Sequence, residues 1–155
     1  MSDLAAGQPA PAFTLPRDGG GDIALADQAG RIVVLYFYPR DDTSGCTLEA
    51  QGFSAALPEF EAAGAVVIGV SKDSVKSHDK FRDKHGLGII LASDGAGELC
   101  ERYGVWVEKS MYGRKYMGIE RATFLIDREG RLARVWRKVS VPGHVAEVLA
   151  AARAL

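Results

Sequence analysis

The run IVVLYFY, Ile32 to Tyr38, constrains this chain more than any other stretch. Seven consecutive apolar or aromatic residues, three of them β-branched, leave no polar face to turn toward water. A strand of this kind is covered on both sides, and that points to a sheet with helices packed on each face. AVVIGV, Ala65 to Val70, reads as a second such strand, and GIILAS, starting at Gly88, as a third and shorter one.

Between these strands the sequence takes a helical character. From Thr43 onward, Leu48, Phe53, Leu57 and Phe60 fit one helical face, with Pro58 expected to kink the helix or begin a second segment. Ser74 is placed to cap VKSHDKFRDKH, and Gly86 to end it. Asp94 or Ser93 caps a helix over GAGELCERYG. The strands ATFLID and RLARVWRKV are joined by the turn Asp127-Arg128-Glu129-Gly130, and Pro142 to Leu155 reads as a closing amphipathic helix. At the start, AFTL and DIAL flank a glycine-rich turn and predict a small hairpin. Gly19-Gly20-Gly21 is not a phosphate loop, because no GKS or GKT follows and no helix opens there. The order predicts an α/β fold with a central mixed sheet flanked by helices and Ile32–Tyr38 in its middle. Residues 1–155 read as one domain.

Nineteen Lys and Arg against twenty Asp and Glu, without a long run of either sign, give no footprint for nucleic acid or an anionic membrane. The first residues, MSDLAAGQPAPAF, have neither the basic start nor the apolar stretch of a signal peptide, and no run of roughly 18 apolar residues occurs. A cytoplasmic protein is expected. Two cysteines in such a compartment are buried small hydrophobes or reactive thiols.

Cys46 stands where chemistry collects in such sheets, just past the carboxyl end of the central strand at a predicted helix start. Unpaired N–H groups there stabilise a thiolate relative to the thiol. Its flanks, Asp41, Asp42, Thr43, Ser44, Gly45 and Thr47, are polar, which favours a reactive thiol over a structural one. A Cys-x-x-Cys exchange motif is absent, since positions 43 and 49 hold Thr43 and Glu49. His78, His85, His144 and Cys100 are scattered without ligand spacing, so no metal is expected, and the three histidines read as ordinary surface or helix residues.

Pro39-Arg40-Asp41-Asp42-Thr43-Ser44-Gly45-Cys46 matches the P-x-x-x-T-x-x-C signature of peroxiredoxins. The fuller string FYPRDDTSGCTLEA resembles the bacterioferritin comigratory protein, or peroxiredoxin Q, group of these AhpC/TSA-like peroxidases. The likeness continues through GAVVIGVSKDS, LCERYGVWVEKSMYG and ERATFLIDREG. This resemblance implies a thioredoxin fold with an N-terminal β-hairpin extension and no cofactor. It makes Cys46 the peroxidatic cysteine, attacking hydrogen peroxide or an organic hydroperoxide to give a sulfenic acid. By the same likeness, Thr43 hydrogen-bonds the thiolate and peroxide, Arg121 stabilises the charge growing on the oxygens, and Pro39 packs over the sulfur. Glu49, in CT-x-E, reads as a first-turn acid that complements the helix dipole and can pair with an arginine.

Many members of this group carry a resolving cysteine five residues after the first, where this chain has Gln51; others carry it in the next helix, which here has none. A one-Cys enzyme regenerated by thioredoxin, glutaredoxin or a low-molecular-weight thiol is expected. The alternatives are a Cys46–Cys100 disulfide formed after local unfolding, and a thioredoxin-fold redox sensor or chaperone-like module. The group implies a monomer or weak homodimer. Trp106, Met111, Tyr112, Tyr116 and Met117 lie in a glycine-broken stretch that either rims the pocket or belongs to the core, and the core is the commoner place for such residues.

Overall fold

A computed structural model describes residues 4–155. The central strand β3 (Ile32–Phe37) has all six residues buried, as its unbroken apolar run requires. Around it lies a five-stranded sheet. On one side β4 (Ala65–Ser71) and then β5 (Ile90–Ser93) run parallel to it; on the other, β8 (Ala122–Ile126) runs antiparallel to it, and β9 (Leu132–Trp136), antiparallel to β8, closes that edge. The opening hairpin is β1 (Thr14–Pro16) with β2 (Asp22–Ala24), joined to β5 by a bridge between Arg17 and Ala92.

Strand alternation divides the core into two layers. Ile32, Val34, Tyr36 and Tyr38 face helices α1 (Ser44–Ala55), α2 (Leu57–Ala62), α3 (Val75–His85) and α5 (His144–Arg153), packing with Cys46, Ala50, Phe53, Phe60, Phe81 and Val148. Val33, Leu35 and Phe37 face the other way, onto α4 (Glu98–Arg102) and the N-terminal arm, packing with Phe13, Ile23, Leu99, Cys100 and Tyr103. The two cysteines therefore belong to opposite faces of the sheet.

Local signals place the helix ends. Pro58 sits in the first turn of α2, where its missing N–H costs nothing, and so separates α2 from α1. Ser74 Oγ accepts from Ser77 N at 3.1 Å, and Gly86 ends α3 in the left-handed region at φ 62°. Asp94 accepts from Leu99 N and Cys100 N, capping α4 from four residues before its first residue, Glu98. That helix is shorter than GAGELCERYG suggests, because Gly97 at φ 77° keeps the preceding residues out of it. Gly143 at φ 78° likewise delays α5 to His144.

One expectation is overturned and another is narrowed. The glycine-broken stretch is not core: it forms a separate two-stranded hairpin, β6 (Trp106–Met111) with β7 (Arg114–Ile119), on which Met111, Tyr112, Tyr116 and Met117 are exposed and Trp106 is half-buried under Lys72 Nζ. Of the two places expected for the histidines, surface or helix, all three take the helix and none is exposed. His78 is fully buried and His144 nearly so, each with hydrogen-bond partners, and His85 is half-buried.

The Tyr36 ring stacks on Phe53 at 4.7 Å and lies over Gly69, its β4 partner; a Cβ at Gly69 would stand 2.7 Å from Tyr36 Cζ. With no exposed route for that ring, Gly69→Ala is expected to destabilise the protein by about 1–3 kcal/mol. Urea denaturation checks this, and an unchanged midpoint would show that the layer yields freely.

Candidate active site

The chain leaves β3 at Tyr38 and Pro39, turns through Asp42 at φ 59°, and enters α1 after Thr43. Thr43 has the extended backbone of an N-cap, but its hydroxyl donates to Arg40 O at 2.9 Å and does not cap the helix. No side chain therefore occupies the first N–H groups of α1, which keep their positive end free. Cys46 lies in this first turn, only 1% exposed.

Arg121 comes to Cys46 from the residue before β8. Its Nη2 donates to Cys46 Sγ at 3.4 Å and its Nη1 to Glu49 Oε1 at 2.6 Å. The guanidinium crosses the backbone of Gly45, where a Cβ would stand 3.2 Å from Nη2. A side chain there would have to push the charged fork aside by a few tenths of an ångström. Pro39, half-buried, closes the strand end of the same turn.

Glu49 belongs to the second turn of α1, not the first, so complementing the helix dipole is not its role. It is 0% exposed, and Oε2 has no hydrogen-bond partner among the described residues. Burial pushes its carboxyl up to about 7, even though Arg121 pulls the other way. Burial also works against the charge on Arg121, but Glu49 and Cys46 outweigh it and hold the guanidinium protonated above its ordinary range.

A second set of contacts fixes the turn itself. Asp41, buried, accepts from Tyr38 Oη at 2.5 Å and Ser77 Oγ at 2.8 Å, and pairs with His78 Nδ1 at 2.8 Å. The other His78 ring nitrogen meets Ala92 O at 3.0 Å. Asp41 N donates to Asp73 Oδ2, which also accepts from Ser71 Oγ. Farther out, Asp42 pairs with Lys84 Nζ at 2.7 Å and His85 Nε2 at 2.8 Å, and these contacts hold its carboxyl below the usual range. Residues 41 and 42 are thereby fastened to α3. Nothing in the local sequence announces these partners: His78 lies 37 residues from Asp41.

Cys100 has a different environment. It is fully buried against α4's other neighbours, and burial, with Asp94 beside it, pushes its thiol pKa well up. No group of three or more His, Cys, Asp or Glu among the described residues is arranged to hold a metal ion, and no described helix is long and apolar enough to cross a membrane.

The raised Glu49 pKa has a sign that can be measured. Between its ordinary value of 4.5 and about 7 the folded protein holds a proton that the unfolded chain has released, so Glu49 lowers stability as pH rises through this window and adds no further cost above it. Replacing Glu49 by Gln is expected to flatten that part of the profile of melting temperature against pH. Parallel wild-type and variant profiles from pH 4.5 to 8 would contradict it.

The family model described as the AhpC/TSA family matches residues 6–135. Peroxiredoxin Bcp of Xanthomonas campestris is 50% identical over 156 residues, covering 99% of this chain and 98% of the relative. Peroxiredoxin Bcp of Bacillus subtilis is 50% identical over 143 residues, covering 92% and 91%. A solved structure of the Xanthomonas campestris bacterioferritin comigratory protein, described for its alkyl peroxide reduction activity, superposes with a TM-score of 0.90 at 48% identity, covering 97% of this chain and 98% of that one. The central mixed sheet with its flanking helices is the thioredoxin fold of these proteins. The chain belongs to the AhpC/TSA family and, within it, to the Bcp/peroxiredoxin Q group of peroxiredoxin enzymes.

Proposed function

We propose that this peroxiredoxin is a one-Cys enzyme of antioxidant defence, a single cytoplasmic domain working as a monomer or weak homodimer. Its substrates are hydrogen peroxide and organic hydroperoxides, in line with the alkyl peroxide reduction named for its structural relative. Cys46 is the nucleophile. Its thiolate attacks the terminal peroxide oxygen, an S–O bond forms as the O–O bond breaks, and the leaving oxygen takes a proton to depart as water or an alcohol. Cys46 is left as a sulfenic acid.

The arginine at 3.4 Å from Sγ supports this role most directly. A fixed positive charge held beside the sulfur stabilises negative charge passing onto the two oxygens. Glu49 positions that charge through the 2.6 Å bond to the other guanidinium nitrogen. Pro39 shields the sulfur from water. Thr43, whose hydroxyl is held by Arg40 O in this structure, would reach the thiolate or peroxide by leaving that carbonyl.

The one-Cys reading rests on a single observation: Cys46 and Cys100 are packed into the cores on opposite faces of the sheet. Unwinding the first turn of α1 frees Cys46 but not Cys100, which sits on α4 with its side chain buried in the opposite layer. The sulfenic acid is therefore reduced from outside, by thioredoxin, glutaredoxin or a small thiol. The external thiolate attacks the sulfenic sulfur and releases water, and a second thiol resolves the mixed disulfide.

Intact-mass measurement after one equivalent of peroxide is expected to show one added oxygen per chain; loss of two hydrogens would establish an intramolecular disulfide and overturn the one-Cys reading. Peroxide-dependent consumption of a thiol reductant is expected to vanish in Cys46→Ser, and equal consumption by both proteins would remove the peroxidase assignment. Arg121→Ala is expected to slow both peroxide reduction and alkylation of Cys46 at pH 7 by about 10²-fold or more while the fold persists. Unchanged rates would take the electrostatic role away from Arg121.

A further inference from the structure

The β6–β7 hairpin pairs only with itself, as a two-stranded sheet apart from the central one. Only its base reaches a core layer, where Ile119 is buried and Trp106 packs against the cluster; its outer residues fill none. Even so, among the described residues, four of the six exposed large hydrophobics lie on it: Met111, Tyr112, Tyr116 and Met117. A fifth, Leu48, is on α1 two residues after Cys46. Scattered exposed apolar residues are ordinary, but their concentration on one projecting element marks a surface for another molecule.

The turn makes the same point independently. Tyr112 and Gly113 connect the strands with φ of 52° and 79°, the pattern of a type I′ turn. That first position suits Asn, Asp or Gly. A tyrosine there strains its backbone, and at 99% exposure it gains no burial within this chain. The strain goes uncompensated unless the ring packs against something else.

Register then sorts the hairpin into two faces. Lys109 stands opposite Tyr116, and Met111 opposite Arg114, so these four share a face; Glu108, Met117, Ser110 and Lys115 share the other. Lys109 lies within electrostatic reach of the active site, feeling the charges of both Arg121 and Cys46. Burial, and after it the charge of Arg121, hold the Lys109 ammonium below its usual range, while Cys46 acts in the opposite sense. The base of the hairpin closes at Trp106 and Ile119, and Glu120 N donates to Val105 O at 2.7 Å, one residue from Arg121. Across 106–119 there are three cations, Lys109, Arg114 and Lys115, against the single acid Glu108, in a chain whose net charge is −1.

We propose that the Lys109 face of this hairpin, with the Tyr112 tip, docks the protein thiol that regenerates Cys46. The inference rests on the external-thiol reading above. The partner's recognised surface is an apolar patch around its reactive cysteine, rimmed by carboxylates that meet Lys109 and Arg114. A sulfur only 1% exposed is poorly served by chance collision. An anchored partner is held beside it long enough to deliver its thiolate when the first turn of α1 opens.

The test begins with protein oxidised by one equivalent of peroxide and checked by intact mass, so failure of the one-Cys reading, seen as loss of two hydrogens, is recorded before any reductant is added. Reduction is then followed by stopped flow with thioredoxin, with glutaredoxin and with dithiothreitol. In Met111→Ser/Tyr112→Asn, and separately in Arg114→Glu, the second-order rate with the better of the two proteins is expected to fall about tenfold or more. Dithiothreitol and peroxide rates should stay as in wild type, and Met117→Ser, on the reverse face, should change nothing. The Arg114→Glu variant should also lose much of its salt dependence with the protein reductant. Equal losses with dithiothreitol, an equal loss in Met117→Ser, or protein rates unaffected by either front-face variant would overturn the proposal. So would front-face variants that lose only co-sedimentation with anionic phosphatidylglycerol vesicles, since that result assigns the tip to lipid.

Discussion

One partly buried guanidinium organises the reactive end of this molecule. Arg121 divides its two terminal nitrogens between a thiol sulfur and a carboxylate, and each of those partners belongs to the same helix, one turn apart. A cation placed there against the desolvation cost persists only because both acceptors are close and fixed. That requirement reaches outward. It favours glycine at 45, and it demands a helix that starts where α1 starts and a β8 strand delivering residue 121 to the carboxyl end of β3. Glu49, in return, is kept in a place where its second oxygen finds no partner among the described residues, so its ionisation stays finely balanced near neutral pH.

The sheet behind this arrangement does more than carry it. Because β3 is buried on both faces, the chain has two hydrophobic layers that share no side chains, and one cysteine went into each. The thiols differ accordingly. Cys46 faces a helix start and an arginine; Cys100 is shut among apolar residues with Asp94 beside it, a setting that keeps its proton on. A difference that looks like one of sequence spacing is a difference of which side of a sheet each residue faces.

Much of this was legible in the residues. The strand at Ile32–Phe37 could be read because both of its faces are apolar, and the ends of α3 because Ser74 and Gly86 act through bonds to their own neighbours. Long-range polar pairing has no such local trace. The buried Asp41–His78 pair joins residues 37 apart, and a lone histidine in a charged segment such as VKSHDKFRDKH looks like a surface residue. The β6–β7 hairpin misled for a different reason. Its methionines and tyrosines have the composition of a core, and its turn carries tyrosine where asparagine or glycine would have signalled a hairpin. Only Gly113 in the second turn position hinted at it.

The attachment of the 41–42 turn to α3 has a consequence of its own. The two aspartates are held in media of very different dielectric: Asp42 meets Lys84 and His85 at the solvent boundary, and Asp41 meets His78, Ser77 and Tyr38 in the interior. Mobile ions screen the first set within a Debye length of about 8 Å at physiological ionic strength and leave the second nearly untouched. The turn ahead of Cys46 is therefore a double latch, whose outer catch loosens with salt while its inner catch stays shut.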